Sequence, residues 1–153
     1  MHFLNIGDAV VLDTNVVLDW LVFRNAACRP LEAALEHGRV RWLSSPAMRD
    51  ELAHVLKRGL GPRWRVDDAS WQAAWDRHAV PVAGPSAVPA HWPRCTDPDD
   101  QKFIELAITT SARWLVTRDR ALLKLARRSR VYGVEVLTPE RWNASAAAAP
   151  GAG

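Results

Sequence analysis

The first apolar segment of the chain reads Ala9-Val10-Val11-Leu12-Asp13. An unbroken apolar run of this length is typical of a strand that is buried on both faces of a parallel sheet. The segment ends on a carboxylate, and burying a lone charge is costly unless another group pairs with it. We therefore expect Asp13 to have a function at the end of a central strand. The alternative is a helix cap, although Thr14 and Asn15 offer caps as well.

Strand-like and helix-like segments alternate along the rest of the chain. Further strands are predicted at Val40–Leu43, Ala79–Val82, Trp114–Thr117 and Val134–Leu137, and Pro81 favours an edge position for the second of these. Amphipathic helices are predicted at 16–21, 30–37, 46–58, 67–78, 97–111 and 119–130. This alternation indicates an α/β fold with a mostly parallel sheet of four to five strands, covered by helices on both faces.

The length and composition are those of one globular domain. The chain has 153 residues, and we expect a folded domain over 1–142 and a disordered, low-complexity tail over 143–153. No basic segment precedes the short apolar run at 9–12, so we expect no membrane segment and a cytoplasmic protein. Cys28 and Cys95 form no metal-binding or redox motif and are predicted to be reduced thiols.

The charge distribution favours a polyanionic partner. The net charge is only +3, from 20 basic and 17 acidic residues, but four acids gathered around metal would leave a clear basic surplus elsewhere. Four basic residues follow helical spacing on the predicted last helix: Arg120, Lys124, Arg127 and Arg128. They could bind phosphates, or they could form an ordinary solvated helix face.

Three further acids accompany Asp13 as candidates. Asp119 follows the strand that ends at Thr117, so it should share a sheet edge with Asp13; its alternative role is a cap for the next helix. Glu51 lies at the border of an apolar helix stripe and could equally pair with a neighbouring arginine. Within Asp97-Pro98-Asp99-Asp100, helix-start chemistry alone explains every residue, so a ligand role for Asp100 stays open.

These motifs together resemble the PIN-domain family in their order and spacing. The matching segments are Val11-Leu12-Asp13-Thr14-Asn15, Arg49-Asp50-Glu51-Leu52, Asp97 to Ala107, and Leu115 to Asp119. The resemblance implies a three-layer α/β/α fold with Asp13, Glu51, Asp100 and Asp119 as catalytic and metal-binding carboxylates. Asp100 is preferred over Asp97 and Asp99 because Ala107 keeps the family's helix spacing. Groups that orient ligands or substrate would be Asn15, Thr117, Asp97 and Arg118.

The resemblance also implies a function. The chain looks most like the VapC-like toxin components of bacterial toxin–antitoxin systems, which predicts an endoribonuclease that uses one or two Mg²⁺ or Mn²⁺ ions and a metal-activated water. The implied partners are an RNA substrate, an antitoxin protein and a second copy of the chain, with no membrane. These metals prefer oxygen ligands, which suits a carboxylate site.

Two other functions compete with this prediction. A haloacid-dehalogenase-like phosphatase also begins with an apolar strand ending in aspartate, but it needs a second aspartate where this chain has Asn15. A non-catalytic PIN module that binds RNA or protein is the alternative from another class, and the presence of all four acids argues against it.

Overall fold

The structure is a computed structural model that describes residues 8–142. The predicted domain is therefore covered from residue 8 onward. The tail over 143–153, predicted to be disordered, lies outside the described residues. None of the helices within 8–142 is long and apolar enough to cross a bilayer.

The core of the fold is a five-stranded parallel sheet. Its strands are β1 (Asp8–Leu12), β2 (Val40–Ser44), β3 (Ala79–Pro81), β4 (Trp114–Val116) and β5 (Glu135–Leu137). They lie in the order β3-β2-β1-β4-β5, and all four pairings are parallel. The predicted parallel sheet is thus confirmed, including the edge position of the strand that contains Pro81.

Seven α-helices accompany this sheet in the described part of the chain. They are α1 (Thr14–Leu21), α2 (Arg29–Glu36), α3 (Pro46–Arg58), α4 (Asp68–His78), α5 (Gln101–Thr109), α6 (Arg120–Leu123) and α7 (Ala126–Ser129). Among them, α2 packs on β2, α5 packs on β1 and β4, and α7 packs on β5. The arrangement is the expected three-layer α/β/α fold.

The strand order reverses between β1 and β4. From β1 the chain moves outward through β2 to β3, and then crosses the sheet to add β4 and β5 on the other side. In such sheets ligands bind beyond the carboxyl ends of the strands at the point where the order reverses. Leu12 pairs with Val116 there, so Asp13 and Thr117 are the first residues beyond the paired strands at this point.

Aromatic packing fills the core on the β2 side. The rings of Trp20 and Trp42 meet edge to face at 5.5 Å between centroids, and those of Trp42 and Trp75 at 4.5 Å. All three side chains are buried, as are Trp71 and Trp114. These tryptophans therefore stabilise the fold through packing.

Two predicted helices were wrong in their extent. The segment 97–111 begins with a 3₁₀ turn (Pro98–Asp100), and α5 follows it. The segment 119–130 is divided into α6, α7 and a further 3₁₀ turn. The division follows from the hydrogen bond of the Leu125 N–H to the Leu122 carbonyl, 2.9 Å long. This tighter i→i+3 turn lets both leucines enter the core. Arg120, Lys124, Arg127 and Arg128 are exposed but do not share one continuous helix face.

We predict that Gly133→Ala lowers the free energy of unfolding by about 1 kcal/mol. Gly133 has a φ of +80° at the turn that leads into β5. An added Cβ would meet no atom within 4 Å, so the cost would be backbone strain alone. Urea denaturation measures the change. Gly84→Ala is the matched control because Gly84 also has open space but no positive φ, and equal stability of the two variants would contradict the prediction.

Candidate active site

Asp13 is a buried carboxylate directly after β1, where the strand order reverses. Only 3% of the residue is exposed. Its Oδ1 accepts the backbone N–H of Val16 at 2.9 Å, so Asp13 caps α1 itself. The expectation that Thr14 or Asn15 would take that role was wrong, because Asp13 has the extended backbone of a cap and α1 already begins at Thr14.

Thr117 joins the ends of the two central strands. Its hydroxyl donates to Oδ2 of Asp13 and accepts the backbone N–H of Asp119 at 2.9 Å. The threonine is fully buried. These bonds hold Asp13 at the end of β1 and Asp119 just past the end of β4 in one rigid unit.

Asp100 lies against Asp119 on the open side of this unit. Asp119 caps α6, since its Oδ2 accepts the Leu122 N–H at 3.2 Å. The pKa of Asp100 is raised to about 7, first by burial and then by its hydrogen bond to Asp119. Repulsion from Asp119, Asp97 and Asp13 raises the pKa further. The carboxyl of Asp100 therefore keeps its proton to a higher pH than an isolated aspartate does.

Glu51 differs from these three acids because a basic side chain pairs with it. It lies on α3 and accepts the hydroxyl of Thr14, the residue next to Asp13. It also forms an ion pair with Lys102 on α5, and the same ammonium donates to the carbonyl of Asp99. Glu51 is thus close in the fold to the other acids but is neutralised by a lysine that the sequence interpretation had not considered.

The remaining predicted residues surround the acids in different ways. Asp97 caps the 3₁₀ turn before α5, where its Oδ1 accepts the Asp99 N–H at 3.0 Å. Asn15 is exposed on the first turn of α1. Arg118 forms ion pairs with Asp19 at 2.7 Å and with Glu140 at 2.9 Å. Its guanidinium therefore links the turn before Asp119 to α1 and to the segment after β5.

Cys95 is a site residue that the sequence interpretation missed. One ligand atom each of Cys95, Asp100 and Asp119 lies within 4.8 Å of the other two. The cysteine is 8% exposed. Its closeness in sequence to the Asp97–Asp100 motif was the available signal, but a single cysteine without a paired spacing predicts no metal site.

The electrostatics of the Asp13, Asp100 and Asp119 carboxylates suit a cation. Burial raises the pKa of Asp13 to about 6, against the hydrogen bonds from Thr117 and Val16, and repulsion from Asp119 and Asp19 adds to the increase. The ion pairs found within residues 8–142 do not involve Asp13, Asp100 or Asp119. Crowded and desolvated carboxylates of this kind are the donor set that a hard divalent cation prefers.

We predict that metal-free Asp13→Asn gains stability relative to the wild type between pH 4 and pH 8. The pKa of Asp13 in the folded protein, about 6, is above the ordinary value for an aspartate, so the wild type loses stability as the pH rises from about 4 through 6. Asparagine avoids that loss and keeps an oxygen for the Val16 N–H. The amide nitrogen replaces the oxygen that accepts the Thr117 hydroxyl at either pH, so the stability of the variant relative to the wild type should increase by on the order of 1–3 kcal/mol from pH 4 to pH 8.

Denaturant unfolding in EDTA at both pH values measures this effect. Asp50→Asn, at an exposed carboxylate on α3, is the control and should change stability little at either pH. A relative stability of Asp13→Asn that does not increase from pH 4 to pH 8 would show that burial of this charge is not a net cost.

Comparison with known proteins identifies the family. A family model described as PIN domain matches residues 9–121, which include Asp13, Glu51, Asp100 and Asp119. No curated protein matches the chain. PIN domains are generally nucleases and typically use divalent metal ions, which agrees with the carboxylates at the carboxyl ends of β1 and β4. The chain belongs to the PIN-domain family.

Proposed function

We propose that this protein is a metal-dependent endoribonuclease whose site is centred on Asp13, Asp100 and Asp119. The observation that carries the proposal is the convergence of these carboxylates at the strand-order reversal, with the pKa values of Asp13 and Asp100 raised. A structural cap needs no second acid beside it, and repulsion between caps is unfavourable. A cation that binds all three would offset that repulsion.

The site residues would have separate roles in binding the metal and in positioning its ligands. Asp13, Asp100, Asp119 and Glu51 would hold one or two Mg²⁺ or Mn²⁺ ions. When bound, such an ion lowers the pKa of a water and offsets charge on the phosphate. Thr117 keeps Asp13 and Asp119 in register through its two hydrogen bonds. Asp97 supports Asp100 by fixing the 3₁₀ turn on which it lies.

Glu51 is proposed as the ligand whose availability Lys102 controls. The Lys102 ammonium already pairs with Glu51, so the glutamate must exchange this partner or share it with the metal. Lys102 would then be released toward the substrate, where an ammonium is suited to bind phosphate.

RNA would be bound through its phosphates rather than its bases. Arg120, Lys124, Arg127 and Arg128 are exposed just past Asp119, although on α6, α7 and the turn between them. Arg118 acts as a positioning residue in this proposal. Its ion pairs to Asp19 and Glu140 brace the turn that carries Asp119, and Asn15 at the exposed rim would orient substrate.

The physiological role is proposed from the resemblance to toxin components. As the toxin of a toxin–antitoxin pair, the chain would act in the cytoplasm, form a homodimer and bind an antitoxin. Trp64 is 44% exposed and packs against Phe23 at 4.7 Å. It lines a cleft of about 490 Å³ beside the end of α3, and an exposed aromatic residue in a cleft is a suitable anchor for a protein partner.

We predict that Asp119→Asn lowers cleavage of RNA in Mn²⁺ by at least about 100-fold. The amide removes a charge from the centre of the site while its oxygen can still cap α6, so the fold should persist. Cleavage of a mixed RNA pool in Mg²⁺, Mn²⁺ or EDTA is the measurement, with circular dichroism to verify folding.

Asp50→Asn provides the matched control, because it removes the same charge from an exposed position one residue before Glu51. It should retain wild-type cleavage. Folded Asp119→Asn with wild-type activity would refute the nuclease assignment. Wild-type protein that binds RNA without cutting it in either metal would support the non-catalytic module instead, and turnover of p-nitrophenyl phosphate would support the phosphatase.

A further inference from the structure

Cys95 brings a thiol into the carboxylate site. Its sulfur, a carboxylate oxygen of Asp100 and one of Asp119 all lie within 4.8 Å of one another. The other cysteine of the chain, Cys28, is buried near Asp19 and Arg118 and is not part of this group. Among the described residues, Cys95 is therefore the cysteine that lies in a possible metal-binding group.

We infer that Cys95, Asp100 and Asp119 form a three-ligand site for a thiophilic divalent cation, with Zn²⁺ as the natural candidate. The inference deepens the proposed nuclease function and rests on it in one respect. Because Asp100 and Asp119 are also proposed ligands for Mg²⁺ or Mn²⁺, bound Zn²⁺ would exclude those ions and stop cleavage.

The separation of the three atoms is close to what such a site needs. Zn–S bonds of about 2.3 Å and Zn–O bonds of about 2.0 Å place ligand atoms roughly 3.5 Å apart at a tetrahedral angle. Atoms within 4.8 Å of one another therefore have to approach by at most about 1.3 Å to reach this separation. A fourth position remains for water or substrate.

The backbone holds the thiol in place. The Cys95 N–H donates to the side-chain oxygen of Gln101 at 2.6 Å, and the Gln101 amide donates to the carbonyl of Pro93 at 3.1 Å. This clamp ties the 93–95 segment to the start of α5, directly after Asp100. Burial raises the pKa of the Cys95 thiol, and the nearby carboxylates of Asp100 and Asp119 also raise it, so the sulfur would release its proton on binding a cation.

The donor set predicts selectivity between metals. A thiolate is a soft ligand that selects zinc or cobalt over magnesium, and for a given site zinc binds more tightly than manganese. Carboxylates alone suit magnesium and manganese as well, so the thiolate adds to the preference for zinc. Cys95 is thus the feature that makes this site sensitive to zinc.

Co²⁺ is the probe that tests the inference, because a cobalt–thiolate bond gives a near-ultraviolet charge-transfer band that oxygen ligands do not give. Metal-free, full-length protein is titrated with Co²⁺. We expect the band in wild type and in Cys28→Ser, and its loss in Cys95→Ser. Asp119→Asn keeps the thiol but loses a ligand charge, so it should bind Co²⁺ at least about tenfold more weakly.

A wild-type protein without the band would overturn the inference, as would a band that survives in Cys95→Ser. If Cys95→Ser fails to fold, unchanged Co²⁺ affinity in Asp119→Asn would overturn it and weakened affinity would support it. The titration needs no RNA. Wild-type protein that cleaves RNA in Mn²⁺ but shows no band would support the nuclease proposal and refute the Cys95 site. A band without cleavage would support the Cys95 site and refute the nuclease proposal.

The inhibitory consequence has its own measurement. Zn²⁺ added to the Mn²⁺ reaction should lower the wild-type rate, and Cys95→Ser, compared with its own zinc-free rate, should require at least about tenfold more Zn²⁺ for the same inhibition. Equal zinc sensitivity in the two proteins would show that the sulfur does not hold the ion.

Discussion

The repulsion among the carboxylates of Asp13, Asp100 and Asp119 is the constraint around which the site is organised. Folding brings these groups together at the carboxyl ends of β1 and β4, and burial and repulsion raise the pKa values of Asp13 and Asp100. A protein gains nothing in stability from such an arrangement. The surrounding hydrogen bonds reduce this cost, and a cation bound among the carboxylates would offset the rest.

The hydrogen bonds that support the acids come from the ends of the secondary-structure elements. Asp13 caps α1, and Asp119 caps α6, so both charges lie at the positive ends of short helices. Thr117 links the two through its hydroxyl group. The capping role is therefore compatible with the proposed catalytic role, because the cap fixes the orientation of each carboxylate.

The site is asymmetric in charge. On the β1–β4 side the acids pair with backbone N–H groups, hydroxyls and one another, whereas on the α3 side Glu51 pairs with Lys102. Cys95 adds a soft ligand beside Asp100 and Asp119. One region thus combines hard oxygen donors, a cationic side chain and a thiol, and under the proposed function the identity of the bound ion would decide whether the site cleaves RNA or is inhibited.

Sequence periodicity was sufficient for the architecture. The run from Ala9 to Leu12 predicted a doubly buried strand, Pro81 predicted an edge strand, and the alternation of elements predicted a parallel sheet. These features are local, since a strand buried on both faces must be apolar throughout. Helix limits were less accurate, because the breaks at Asp100 and Leu125 follow from capping and from core contacts that a helical period does not reveal.

The residues alone placed Asp13 and Asp119 on one edge of the sheet, because the carboxyl ends of parallel strands face the same way. They left the functions of Asp100 and Glu51 open, since helix-start chemistry and surface pairing explained each equally well. In the tertiary structure Asp100 lies against Asp119, Glu51 pairs with Lys102, and the Cys95 sulfur lies near Asp100 and Asp119. Those contacts join elements distant in sequence or depend on the direction of one side chain, and no local pattern encodes them.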